Sequence, residues 1–143
     1  MAIGTPVSIG TVQNKTSETT TVLTTTASVP AGAMIIVFYA ADGTSELLDS
    51  IVDSAGNSYT KATGSGSGTD VVAAIWYKAN AAELSSGGTI TLDWYLTTNP
   101  AAKAISAFYV EGIATTSPLD GTSTAAGGTG TTPSVSTQAA TTQ

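Results

Sequence analysis

"PAGAMIIVFYAAD", residues 30–42, is the stretch on which the fold turns. From Met34 to Ala41 it is apolar at odd and even positions alike, the pattern of a strand buried on both faces or of a buried helix. The β-branched Ile35, Ile36 and Val37 favour the strand. So do Pro30 and Gly32 just upstream, since Pro fixes φ and Gly accepts a positive one, as a turn requires. The segment is therefore expected at the centre of a sheet.

Working outward, short runs of the same character recur. "TPVSIGTVQ" (5–13) alternates, with Val7, Ile9 and Val12 inward, and "TTTVLTTTASV" (19–29) reads as a Thr-rich strand near an edge. "LLDSIVD" (47–53) and "SYTKAT" (58–63) follow. "DVVAAIWYKA" (70–79) sets Val72, Ala74 and Trp76 against Val71, Ala73, Ile75 and Tyr77. "TITLDWYL" (89–96) turns Ile90, Leu92 and Trp94 in, with Thr91 and Asp93 out. "AKAISAFYVEG" (102–112) gathers Ala104, Ser106, Phe108 and Val110 on one face. "AAELSSGG" (81–88) is read as one helical turn stopped by Gly87 and Gly88. Seven or eight short strands with regular turn signals predict an all-β chain, an antiparallel β-sandwich of jelly-roll-like kind.

Composition agrees. Only 10% of the 143 residues are charged, so Thr, Ser, Gly, Asn and Gln build the polar surface. Four Lys/Arg against ten Asp/Glu give a net charge of −6, the wrong sign for gathering phosphates or anionic lipid. Neither nucleic acid nor membrane is an expected partner. With no Cys and no His, thiolate chemistry, the usual general base and the commonest transition-metal ligand are missing from the chain. "MAIGTPVSIG" lacks the pattern of a secretory signal, and the apolar run 33–41 is too short to span a bilayer. The expectation is a soluble, unprocessed chain. From Ala114 onward large apolar residues nearly vanish apart from Leu119 and Val135. This divides the chain into a sandwich, residues 1–114, and an extended Thr/Ser/Gly-rich arm or linker, residues 115–143.

Three constellations could carry chemistry. "DSAGNSYTKATGSG" (53–66) offers oxygens for calcium through Asp53 and Asn57, with Asp49 and Asp42 as further candidates. Only one carboxylate lies within the loop, and the stretch reads instead as a hairpin turn, a corner with an Asx-turn at Asp53 and with Gly56 and Asn57 able to take positive φ. Glu46, Asp49 and Asp53 suggest a glycosidase pair, but positions 49 and 53 share parity and would lie roughly 13 Å apart on a strand. No catalytic residue, metal or cofactor is assigned. Trp76–Tyr77, Trp94–Tyr95 and Phe108–Tyr109 form aromatic pairs on three strands. Trp76, Trp94 and Phe108 are read as core. Tyr77, Tyr95 and Tyr109, with Leu119 and Val135 of the arm, are candidate protein-interface residues.

Four segments together resemble a β-sandwich module of tailed-phage virion proteins, capsid decoration or fibre type, that also occurs in bacterial surface proteins. They are "TASVPAGAMIIVFYAADG" (26–43), "IVDSAGNSYTKAT" (51–63), "AAIWYKANAAELSSGGTITLDW" (73–94) and "AKAISAFYVEGI" (102–113). The motifs are turns and core, so no site residue carries over. The resemblance implies a non-enzymatic virion protein, made in the host cytoplasm and assembled on the capsid exterior. Its expected partners are the major capsid protein or other virion subunits and further copies of itself. A tail or head-fibre module binding host glycan or envelope protein is the alternative. In related chains a stretch like "TPSVSTQAATTQ" (132–143) leads into a further strand; either the N-terminal strands complete the sandwich or a neighbouring chain does, and the arm is expected to engage an adjacent subunit.

Overall fold

The computed structural model describes residues 2–43, 47–65, 70–95 and 99–119. Eight strands form: β1 (Val7–Asn14), β2 (Thr20–Thr24), β3 (Met34–Asp42), β4 (Leu48–Asp53), β5 (Thr60–Ser65), β6 (Val71–Lys78), β7 (Thr89–Trp94) and β8 (Lys103–Val110). They make a five-stranded sheet, β1-β8-β3-β6-β5, and a three-stranded sheet, β2-β7-β4. Every pairing is antiparallel. The ladder is nested: β1 pairs with β8, β2 with β7 and β3 with β6, as when a long hairpin ribbon is folded back on itself.

The two sheets share one core. Alternation supplies it, since residues two apart on a strand face the same side. Ile35, Val37, Tyr39 and Ala41 of β3, Val72, Ala74 and Trp76 of β6, and Ile90, Leu92 and Trp94 of β7 are all buried in it. Trp94 ties the layers together. Its ring meets Tyr39 edge-on at 5.4 Å between centroids, and its indole N–H donates to Thr21 Oγ1 at 2.9 Å. The Lys103 ammonium lies 5.9 Å from the Trp94 ring centre and donates to the carbonyls of Thr16 (2.6 Å) and Pro100 (3.1 Å). A buried cation survives only with such partners.

Most expectations about the strands are met, including β3 at the middle of its sheet and β2 at an edge. Residues 81–88 differ: they form no helical turn. Leu84 bridges Val29 instead, with Val29 N–H donating to Leu84 O (2.8 Å) and Leu84 N–H returning to Val29 O (3.1 Å). Burial of Leu84 in the common core outweighs the local helical tendency of Ala-Ala-Glu-Leu. Val7 is another departure, more than a third exposed, because the register of β1 shifts between Ser8 and Gly10.

The sandwich is closed at one end by Gly112. Its φ is +76°, and a Cβ there would collide with the Ala2 carbonyl oxygen. Absence of that carbon lets residues 2–4 lie against the end of β8, where Gly4 N–H donates to Glu111 O at 2.9 Å. Beyond it, residues 115–119 are described, and the remainder of the arm, including Val135, lies outside the described residues.

Replacing Trp94 by Phe strips Thr21 of its buried partner and opens a void beside Lys103. The variant is expected to lose about 2 kcal/mol of stability in urea titration, with the m-value unchanged.

Candidate interaction face

The oxygen-rich loop after β4 comes first, because its geometry settles what it is. Asp53 is buried, and both its carboxylate oxygens are occupied. Oδ1 accepts from Ala55 N–H (3.0 Å) and Asn57 N–H (2.9 Å); Oδ2 accepts from Asn57 Nδ2 (2.9 Å) and Tyr59 Oη (2.9 Å). Four donors fill the four lone-pair directions of a carboxylate. Asn57 extends the network by accepting from Ala82 N–H through Oδ1 at 2.8 Å. Gly56 has φ +81°, as the sequence suggested, but Asn57 is not at positive φ and acts through its side chain. The loop is a corner: it takes the chain out of the three-stranded sheet in β4 and into the five-stranded sheet in β5.

The other carboxylates do not converge on it. Register shifts between Leu48 and Ser50, so Asp49 points to solvent while Asp53 points inward; the shared parity read from spacing is broken by this bulge. Asp42 ends β3 in the other sheet and accepts from Ala102 N–H at 2.9 Å. Glu46 lies outside the described residues. Among the described residues no three His, Cys, Asp or Glu side chains are grouped to hold a metal.

The feature with room for a partner is the outer face of the five-stranded sheet. Three register rows cross its middle strands. Phe108 (β8), Ile36 (β3) and Tyr77 (β6) form one; Ser106, Phe38 and Ile75 the next; Ala104, Ala40 and Ala73 the third. Asp42 and Val71 lie beyond them. Phe38 is 39% exposed and Val71 58%, and the three alanines are open to solvent. Phe38 and Phe108 pack edge to face at 5.9 Å, raising a ridge. Beside the ridge the small alanines leave an open hollow of about 530 Å³, floored by Ala40 and Ala104 and rimmed by Gln13, Lys15, Asp42 and Val71.

The outer face of the three-stranded sheet is of another kind. Thr20, Asp93 and Ser50 make one row there, and Thr24 and Thr89 another. Only Val22 and Val52 interrupt it, flanking Thr91. Ser50 Oγ donates to Asp93 Oδ2 at 3.2 Å. Solvent suits that side and does not suit the other.

The residues picked from sequence scatter. Tyr77 belongs to the apolar face and is half-buried. Tyr95, 42% exposed, follows β7 in the other sheet. Leu119 is exposed in the first part of the arm. Tyr109 is half-buried against the core, and Phe108 takes the outward place, the reverse of the expected assignment. The phase of β8 decides this: Ala107 sits beside Val37 and Ile105 beside Tyr39, all inward, so Ala104, Ser106 and Phe108 face out, while Val110 at the strand end is buried. Phe38, Ile36, Ile75, Val71 and the three alanines were not singled out. Their signal was the apolar character of β3 at both parities, expected to mean burial on both faces; instead Phe38 and Ala40 leave the outer face uncovered, because the second sheet packs on one side only. No family model, curated protein or solved structure matches the chain.

Tyr59 supplies a check on the corner. Burial, with the adjacent Asp53 charge and hydrogen bond, holds its phenol far above the ordinary value of 10.0. Its folded form therefore keeps a proton that the unfolded chain releases. That contribution is intact below pH 10.0 and declines as pH rises further. Tyr59→Phe is expected to cost about 1 kcal/mol at neutral pH and to flatten the alkaline loss by one proton's slope in urea titrations run across pH.

Proposed function

We propose that this chain is a non-enzymatic structural protein of a phage virion. In this reading it is a decoration or cement protein, seated on the capsid exterior and held by contacts with the major capsid protein and with copies of itself. The observation that carries the reading is the uncovered apolar face of the five-stranded sheet, opposite a Thr-rich face suited to water. Covering such a face is worth about 25 cal/mol per Å² of apolar surface. Repetition over many subunits turns modest single contacts into firm attachment. Saturation of Asp53 and separation of Asp49 from it favour binding over hydrolysis.

The strand order supports the same reading at the level of architecture. Nested pairing of β1 with β8, β2 with β7 and β3 with β6 is the pattern a jelly-roll-like ribbon would have, and such wrapped ribbons are used in capsid proteins. Here β5 departs from the simplest wrapping by joining β6; one bridge, Val52 to Ser58, is what links the β4 side to the corner. In this proposal the arm, residues 115–143, reaches an adjacent subunit.

Imaging of particles from a lysate in which a tagged chain is made tests the location. Regular density on the head supports the reading; a place on the tail, with saturable sugar binding, would replace it by a receptor-binding fibre module. Phe38→Asp is expected to reduce co-sedimentation with heads at least tenfold while leaving the melting temperature within a few degrees. Removal of residues 115–143 is expected to preserve folding and weaken attachment.

A further inference from the structure

The apolar face is shaped as well as uncovered. Its raised end carries Phe108, Ile36, Phe38, Ile75 and Tyr77; its hollow is floored by Ala104 and Ala40, and Ala73 lies next to Ala40 in the same register row. A surface that holds both a knob and a socket can pair with itself, because a two-fold axis brings each patch onto its complement. We infer that a second copy of this chain covers the face. The two copies meet sheet to sheet about an axis that lies in the interface and crosses β3 between Phe38 and Ala40. Phe38 of each copy then enters the other copy's hollow over Ala40, and Ile75 lies over the opposing Ala73. This deepens the reading of the face as a protein contact and rests on it.

Area and charge both bear on the occupant. Five strands about 4.8 Å apart and six residues of about 3.4 Å give a footprint on the order of 480 Å². Two such faces bury about 1,000 Å², the lower bound of a specific interface, so the pair is expected to dissociate on dilution. Each copy carries a net charge of −6, yet the three rows hold no acidic side chain, and Asp42 lies just beyond them. The repulsion is thus long-range and screened by salt. Salt should strengthen a pair of identical copies, whereas it would weaken the hold of a basic partner.

Sedimentation velocity on the full chain between about 1 and about 100 µM tests this, at low and high salt. A shift from monomer to dimer with concentration, enhanced by salt, is expected. Phe38→Lys and Ala40→Asp should each remain monomeric alone, and mixing them should restore a one-to-one dimer: one contact is then native and the other pairs Lys with Asp. If either variant fails to fold by circular dichroism, Ile75→Lys with Ala73→Asp supplies the same pairing on β6. A wild-type chain that stays monomeric throughout, or a mixture no more associated than its parts, overturns the inference. Should the wild type be monomeric while Phe38→Asp still abolishes head attachment, the second copy is excluded and the face remains a contact for another protein. If attachment also survives that substitution, both readings fall.

Discussion

A buried carboxylate with every acceptor position filled is what allows two sheets to share one chain. Asp53 stands where β4 must leave the three-stranded sheet, and a bare charge there would cost several kcal/mol. Ala55, Asn57 and Tyr59 supply the donors, two of them backbone and two side chain, and Asn57 carries the network on to Ala82. The corner thereby fixes the direction in which Tyr59 enters the core and where β5 begins. Pairing of β6 with β5, the inward set of β6 with Trp76, and hence the outward set that makes the apolar face follow from that geometry.

Much of this architecture was legible in the residues. Strict alternation in "TITLDW" and in "VVAAIW" gave the inward and outward sets of β7 and β6 correctly. Turn chemistry at Asp53 and Gly56 located the corner. Where the reading missed, the cause was something alternation does not encode. A bulge beside Asp49 reversed the parity of β4, and the phase of β8 depended on which strand it paired with. Leu84 looked like part of a helical turn because its partner, Val29, lies 55 positions earlier in the chain. Parity can be read locally; direction relative to a second sheet cannot.

The same limit explains the candidate face. An apolar strand that is apolar on both parities says that two surfaces are to be covered, without saying by what. Inside, the three-stranded sheet covers one. Outside, no described residue covers the other, and the contrast with the Thr-rich side makes the asymmetry chemical as well as geometric. Tyr77 was chosen for its aromatic ring and lies on that face, while Tyr109 was chosen on the same ground and faces the core.

The strap of residues 2–4 along the end of β8 has a consequence for how the sandwich can be used. Gly4 and Glu111 are hydrogen-bonded neighbours, so the strand framework begins and finishes at one spot on the surface. A body whose entrance and exit coincide can be spliced into a loop of an unrelated host protein with little disturbance to either, or have its order rewired by joining those ends and opening another turn. Gly112 is the hinge-pin of that property, since any side chain there would drive the two ends apart.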